Sequence, residues 1–320
     1  MRPLGGIEPG HPRSCSHAPS STSRRRRCVQ IVVNPSAGNG RGVRLGRRLA
    51  RRLRAEQYDV RVVSAADLPA AREQLARSGR DLECLIGIGG DATLSATAAV
   101  AMELQVPLLP VPAGFGNIFA QNLGYRAALP SVLELLRQGT VARIDAGRAG
   151  PSLFLANSAF GFTEEVKTVV ELAALPRRRL PRYVRYWRAA AHSIVRAPLP
   201  ALGVEADGAR LVEGAVMVVV ANVPTYRGFL SLTPAASPFD GLLDVFAVPP
   251  MPKTRLVALL LAFLLHVPGR WRQVRCARAA RIRVTSPGQE PCDVRALPGA
   301  VPLLLDPPAA SDAARLRLAS

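Results

Sequence analysis

Residues 82–112 read LECLIGIGGDATLSATAAVAMELQVPLLPVP. The stretch LECLIGIGG at 82–90 is a short apolar run closed by glycines, which suits a buried strand. ATLSATAAVAMEL at 92–104 has the length and composition of a helix, and VPLLPVP at 106–112 is a second strand-like run. Strand, helix and strand at these lengths make a βαβ unit with parallel strands. Upstream the pattern repeats. CVQIVVNP from residue 28 is a β-branched run stopped by Pro35, and a glycine-rich turn (Gly38, Gly40, Gly42) leads into VRLGRRLARRLRAE. There Val43, Leu45, Leu49 and Leu53 keep an approximate helical stripe among arginines. DVRVVSA at 59–65 reads as a strand and residues 68–78 as a helix, so LECLIGIGG is the third strand and VPLLPVP the fourth. The expected architecture is a doubly wound α/β domain with helices on both faces and its ligand at the carboxyl ends of the strands.

After about residue 143 strand-like runs follow one another with few helices between: SLFLANSAF, ALGVEAD, GAVMVVVANV, GLLDVFAV and RIRVTS. That succession predicts a mostly antiparallel, β-sandwich-like second domain, interrupted by helices around 181–195 and 253–267. The domain boundaries expected are a disordered basic leader at 1–27, a nucleotide-binding α/β domain at 28–143 and a β-rich lipid-substrate domain at 144–307. The closing segment, 308–320, is expected to return to the first domain.

The chain has 320 residues and a formal charge of +19, with 48% hydrophobic residues, which excludes a wholly disordered protein. The charge is concentrated at one end. Residues 1–54 carry 13 arginines and one acid, Glu8. The five cysteines, Cys15, Cys28, Cys84, Cys276 and Cys292, make no CxxC pair and no zinc spacing, as expected of a reducing compartment. The longest apolar run, 256–267, has 12 residues including His266, too short to span a bilayer. No apolar segment follows the leading arginines as a secretion signal requires, so a cytoplasmic location is expected.

Three glycine-rich loops fall at strand ends in the first domain: NPSAGNGRG (34–42), GIGGDAT (87–93) and PAGFGN (112–117). Glycine at a strand-to-helix junction lets backbone N–H groups approach phosphate oxygens, and the following helix N-terminus adds its dipole. Three such loops on one sheet edge point to a nucleotide. There is neither a GxxxxGK[ST] P-loop nor a GxGxxG dinucleotide fingerprint. Asp91 follows the Gly89-Gly90 pair, where a carboxylate beside phosphates needs a bridging magnesium ion or must bond ribose or neighbouring amides. As a plain structural element it would cap a helix starting at Ala92. Arg41, inside the first loop, is placed to neutralise phosphate charge or simply to sit in solvent.

These stretches resemble the diacylglycerol kinase catalytic-domain family of bacterial soluble lipid kinases, related to NAD kinases and sphingosine kinases. NPSAGNGRG corresponds to the family's NPxxGxG, GGDATLSA to GGDGTLNE and PAGFGNIFAQNLG to PxGTxNDFA. IDAGRA at 144–149 and NVPTYRGFLSLTPAASPFDGLLDV at 222–245 continue the match in order. The resemblance implies ATP bound by Asn34, by Ser64, by Gly89, Gly90, Asp91, Ala92, Thr93, Leu94, Ser95 and Ala96, and around Gly114, Phe115 and Asn117. It also implies a structural Mg2+ near Ser237, Asp240 and Leu242, with Asp145 in the polar network that joins the metal to the active site; oxygen-only ligation suits magnesium.

The chain departs from the family pattern at several places. Phe115 stands for the family threonine, Ile118 for its aspartate, Ala92 for a glycine and Ser95-Ala96 for its Asn-Glu pair. The family's C-terminal Asp-Gly-Glu, whose glutamate is the general base on the lipid hydroxyl, aligns with Asp293-Val294-Arg295 in PCDVRALPGAVPLLL. Arginine stays protonated near neutrality and cannot accept that proton. Asp293 or Glu290 is then the candidate substitute, and otherwise the chain binds without efficient turnover.

The sequence offers two segments for the lipid side. RRRLPRYVRYWRAAAHSIVRAP at 177–198 sets Arg178, Arg182, Arg185 and Arg196 beside Tyr183, Tyr186 and Trp187, as an anionic membrane interface requires. KTRLVALLLAFLLHVPGRWR at 253–272 either covers an acyl pocket or packs on the sheet. The leading expectation is an ATP- and Mg2+-dependent kinase acting on a hydroxyl of diacylglycerol or a related lipid, peripherally attached to the inner membrane face, with a homodimer as an allowed state. An inactive nucleotide- or lipid-binding protein and an NAD kinase are the alternatives. No RNA- or DNA-binding signature accompanies the arginines, so no specific nucleic acid is expected.

Overall fold

The structure, a computed structural model, describes residues 27–68, 73, 82–114, 116–161, 199–226, 230–264 and 274–306. The leader up to residue 26, Phe115, all but Leu68 and Glu73 of the helix expected at 68–78, the helix at 181–195, the end of the apolar helix beyond 264 and the segment 308–320 lie outside the described residues.

Strands β1 (Cys28–Val33), β2 (Asp59–Ser64), β3 (Leu82–Gly89) and β4 (Leu108–Pro112) form the parallel half of a ten-stranded sheet in the order β2-β1-β3-β4. The β-branched run of β1 is buried at every position because the strand is central and covered on both faces. Helix α1 (Arg41–Ala55) lays Gly42, Gly46, Leu49, Ala50 and Leu53 inward and its arginines outward. A Cβ on Gly46 would stand 2.9 Å from Val33 Cγ2, so glycine there sets how closely α1 approaches β1. Helix α2 (Asp91–Leu104) is buried along most of its length, from Thr93 and Leu94 to Val100 and Ala101. The later strands cover the side of α2 that a surface helix would expose, which explains its small, uncharged residues. Two further helices, α3 (Ile118–Asn122) and α4 (Leu129–Gln138), complete this half.

The second half shares the same sheet. Strand β5 (Thr140–Ala149) pairs with β6 (Ser152–Phe154) and, along most of its length, with the final strand β16 (Cys292–Leu305); β16 in turn meets β4 at Leu303. The boundary expected at 143/144 therefore falls inside one continuous strand. The end of β16 pairs with β4 and so returns to the first domain. Beyond β16 the sheet continues through β15 (Arg281–Thr285), β8 (Leu202–Ala206) and β9 (Ala209–Ala215). A separate antiparallel sheet has the order β14 (Arg275–Ala279), β13 (Leu243–Val248), β10 (Met217–Ala221), β7 (Asn157–Gly161). A short hairpin of β11 (Thr225–Tyr226) and β12 (Leu230–Ser231) stands apart. Val218, Val220, Val245 and Ala247 of the separate sheet meet Val204, Ile282, Val284 and Val294 of the long one, which is the sandwich core. On its opposite face Val219 and Phe246 pack with Leu256 and Leu259 of α5 (Lys253–Leu264). Of the two roles open to α5, packing on the sheet is thus the one its described side chains perform. The expected class, a doubly wound α/β domain with a β-sandwich-like second domain, is the architecture of the chain.

Asp145 fastens the two halves. It is 1% exposed, and its carboxylate accepts the Gly241 and Gly299 amides, each at 2.6 Å, while its own amide donates to Pro238 O at 2.8 Å. Asn222, fully buried, donates from Nδ2 to Asp145 O and to Leu155 O, both at 2.9 Å. Replacing Asp145 with Ala strands two inward-facing amides at about 1–3 kcal/mol each. Urea unfolding of D145A should therefore show a loss of about 3 kcal/mol or more, and a loss under about 1 kcal/mol would contradict this role.

Candidate active site

The three glycine loops meet at the carboxyl ends of β1, β3 and β4, where the strand order reverses between β1 and β3. Gly38 (φ +58°) lies so close to the third loop that a Cβ there would overlap the carbonyl oxygen of Ala113. A Cβ on Gly114 would overlap Gly90 Cα and stand 2.8 Å from its nitrogen. Ala113 and Gly114 donate from their amides to Gly89 O at 2.8 and 3.1 Å. The loops thus form one close-packed, backbone-lined cradle with no room for side chains between them.

Around this cradle the candidate nucleotide residues take distinct places. Asn34 donates its amide to Ile88 O at 3.0 Å and its Nδ2 to Thr93 Oγ1 at 3.0 Å, and its Oδ1 accepts from Ser36 N, tying the first loop to the second. Thr93 and Ser95 are buried; Ser95 Oγ accepts the Leu155 amide at 3.3 Å, a bond between α2 and the second domain. Leu94 belongs to the core, whereas Ala92 and Ala96 face outward. Asn117 (φ +51°) locks its own loop, accepting from Gly114 N at 2.8 Å and donating to Gly114 O at 2.9 Å. Ser64, at the end of β2, accepts from Ala66 N at 3.2 Å.

Asp91 does something that sequence reasoning did not locate. Helix α2 begins at Asp91 itself, with Gly90 as its N-cap, so Asp91 does not cap α2. Its carboxylate instead spans to α3, accepting Ile118 N and Phe119 N, both at 3.0 Å. Of the partners open to it from sequence, neighbouring amides are the ones it holds. Gly116 is also beside it: a Cβ there would stand 3.2 Å from Asp91 Oδ2. The carboxylate therefore holds the second and third loops together at the cradle.

The turn expected to hold magnesium is joined to Asp145 through Pro238 O and the Gly241 amide. Asp240 Oδ1 accepts from Leu242 N at 3.1 Å, and Oδ2 pairs with Arg278. Arg278 Nε also lies 3.7 Å from Asp244 Oδ2. Burial raises the Asp244 carboxyl to about 6, partly offset by Arg278. Both oxygens of the one carboxylate in the expected ligand set are bonded, and an arginine already supplies the positive charge. Among the described residues no group of three His, Cys, Asp or Glu side chains is arranged to hold a metal ion. The Asp240 carboxylate, which the resemblance sets beside two main-chain carbonyls as the magnesium ligands around Ser237 and Leu242, is thus engaged by Arg278, and no step is derived through a metal at this turn.

Neither candidate base is held at the cradle by a hydrogen bond. Asp293 is 45% exposed at its side chain and paired with Arg283 at 2.9 Å, a bond that holds its carboxyl below the usual range and weakens it as a base. Glu290 is exposed in the turn between β15 and β16. Arg295, aligned with the family glutamate, is exposed on β16.

The sequence pattern described as "Diacylglycerol kinase catalytic domain" matches residues 29–149, and that described as "YegS C-terminal NAD kinase beta sandwich-like domain" matches 160–304. The chain belongs to the diacylglycerol kinase catalytic-domain family. The family is kinase-like. It is 26% identical over 295 residues to proteins named diacylglycerol kinase from two strains of Mycobacterium tuberculosis, covering 86% of this chain and 94% of theirs. A crystal structure of a diacylglycerol kinase from Bacillus anthracis superposes with a TM-score of 0.65 at 20% identity, covering 88% of this chain and 98% of that one. The latter likeness shows the shared fold.

In this family member the approach of Gly114 to Gly90 is the tightest test of the cradle. Gly114→Ala should force the third loop off the second, at about 1–3 kcal/mol. Thermal or urea unfolding checks this; an unchanged midpoint would show that the loops are not packed as described.

Proposed function

We propose that the chain is an ATP-dependent lipid kinase that transfers the γ-phosphate to a hydroxyl of diacylglycerol or a related lipid, as an enzyme of phospholipid metabolism working in the cytoplasm at the inner membrane face. The observation that carries the reading is the convergence of the three glycine loops into a cradle of backbone amides at the switch point of the sheet. The cradle suits a polyphosphate because its glycine loops pack too closely to carry side chains, so what they can offer a ligand is backbone N–H groups. ATP supplies the phosphoryl group, with Mg2+ accompanying it to offset phosphate charge. The names of the relatives and the two matching family patterns support the acceptor class. No helix among the described residues is long and apolar enough to cross a membrane.

In this reading Asn34, Thr93 and Asn117 fix the loops so that their amides converge before the nucleotide arrives, which is the pre-organisation phosphoryl transfer asks of a protein. Asp91 keeps α3 against the second loop and so holds the cradle closed. Asp293 takes the acceptor hydroxyl proton at its carboxylate once it leaves Arg283, with Glu290 as the other candidate. A weak base lowers the rate by about 10²- to 10⁴-fold without abolishing transfer.

An assay with γ-labelled ATP and mixed lipid micelles should yield labelled lipid, with Asp91→Ala reducing turnover at least about 10²-fold and Asp293→Asn reducing it further than Glu290→Gln. Undiminished turnover in D91A, or no labelled lipid from wild type, would overturn the kinase reading. The ion pair that occupies Asp293 favours one second reading, a binding protein that has lost turnover. In that case ATP-Mg2+ raises the melting temperature while no product forms, and measurable turnover excludes it.

A further inference from the structure

Arg148 on β5, Arg295 on β16 and Arg281 on β15 stand directly opposite one another in the sheet register. Residues paired in this way point to one face, with Cβ atoms about 5 Å apart, and like charges so placed repel. All three are exposed, and among the described residues none forms an ion pair or a side-chain hydrogen bond. The nearest acids are committed elsewhere. Asp293 is paired with Arg283, and the carboxylate of Asp207 accepts from the amides of Ala280 and Arg281 at 3.3 and 2.8 Å.

The neighbouring row on the same face is built differently. There Asp293, Arg283, Glu205 and Arg210 stand opposite one another on β16, β15, β8 and β9, alternating in sign. One row cancels its charge; the next carries three adjacent arginines and, at its end beside Arg281, the single acid Asp207, whose carboxylate is taken by backbone amides.

The face on which the arginines stand also has a direction. Ile144 and Ala146, on the same face of β5 as Arg148, pack in the first-domain core with Leu94 and Ala98 of α2, whereas Val294 and Ile282, on the opposite face from Arg295 and Arg281, pack into the sandwich. Leu153, opposite Arg148 on β6, packs on that first-domain core, and two residues further the Leu155 amide bonds Ser95 in the first turns of α2. The arginine row therefore starts where the second domain meets α2, the helix that begins within GGDAT.

We infer that Arg148, Arg295 and Arg281 form a subsite for a phosphate oxyanion at this junction. Guanidinium groups bind phosphate through paired N–H donors, and three in a row supply the charge and the donors while the bound anion relieves their repulsion. At Arg295, where the family pattern has a base, this chain has a group that binds anions and cannot take a proton. The subsite goes beyond the proposed activity, and its readouts need no turnover, so it stands or falls separately from it.

The test uses the full chain and the triple variant Arg148→Gln, Arg281→Gln, Arg295→Gln. In the first arm, sodium phosphate raises the wild-type melting temperature more than sodium chloride of equal ionic strength. The variant keeps only the chloride response, and without added anion it melts no lower than wild type because repulsion has been removed. In the second arm, phosphatidylcholine vesicles carrying phosphatidylglycerol retain wild type on sedimentation, and partitioning falls about fivefold for each arginine removed, on the order of 10² for all three. Loss in the first arm assigns the subsite to free or nucleotide phosphate, and loss in the second alone assigns it to a phospholipid headgroup. Equal behaviour of wild type and variant in both arms overturns the inference. So does an equal loss in a charge-matched variant of α1, Arg44→Gln, Arg47→Gln, Arg51→Gln.

Discussion

Gly114 passes so near Gly90 that no side chain fits between them, and the rest of the site is arranged around that contact. Bringing two backbone segments this close leaves polar groups with no room for water, so each must be bonded within the protein. The amides of Ala113 and Gly114 are satisfied by Gly89 O, Gly114 is bonded by Asn117 on both its donor and acceptor sides, and Asp91 takes the first two amides of α3. The contact is thus maintained by a closed set of hydrogen bonds. A substitution at any member opens the cradle as a whole.

The same economy governs the union of the two halves. Strand β5 and strand β16 belong to both, and the irregularity in their pairing between Leu297 and Val301 brings the Gly299 amide to Asp145. Asp145 also takes the Gly241 amide, so the turn beside Asp240 is referred to the first domain through one buried carboxylate. The Ser95 bond to Leu155 does this again at the start of α2. The second domain is consequently positioned relative to the cradle by a few charged or buried polar contacts set in apolar packing, where such bonds are strongest.

The parallel half was legible because its strands are apolar runs and its turns are glycine-rich; β10 and β13, buried on both faces, were legible for the same reason. Strands β9, β14 and much of β16 were not read. ARLVEGA and RCARA carry arginines on an exposed face, and Pro298, Gly299 and Pro302 interrupt the third. The expected boundary at 143/144 falls within β5, and a strand that serves both halves leaves no break in composition. At the site, sequence located the loops but not their partners. The acceptor role of Asp91 toward Ile118 and Phe119 spans 27 and 28 residues, and no local pattern encodes it. Asn222 left one readable trace, a lone amide side chain at the end of the apolar run MVVVA. Arg278 left none, because pairing with Asp240 across 38 residues depends on strand register.

The positive charge divides along these lines. The solvent face of α1 and the row on β5, β16 and β15 carry arginines, while the cradle itself uses backbone amides and neutral side chains. The central claim is that those amides bind nucleotide phosphate. It is tested most directly by hydrogen exchange on the full chain with and without ATP-Mg2+. The account predicts slowed exchange confined mainly to residues 38–42, 90–93 and 116–117, whose amides are not among those bonded to Asn34 or Asp91. Unchanged exchange in these three segments at saturating nucleotide would contradict it.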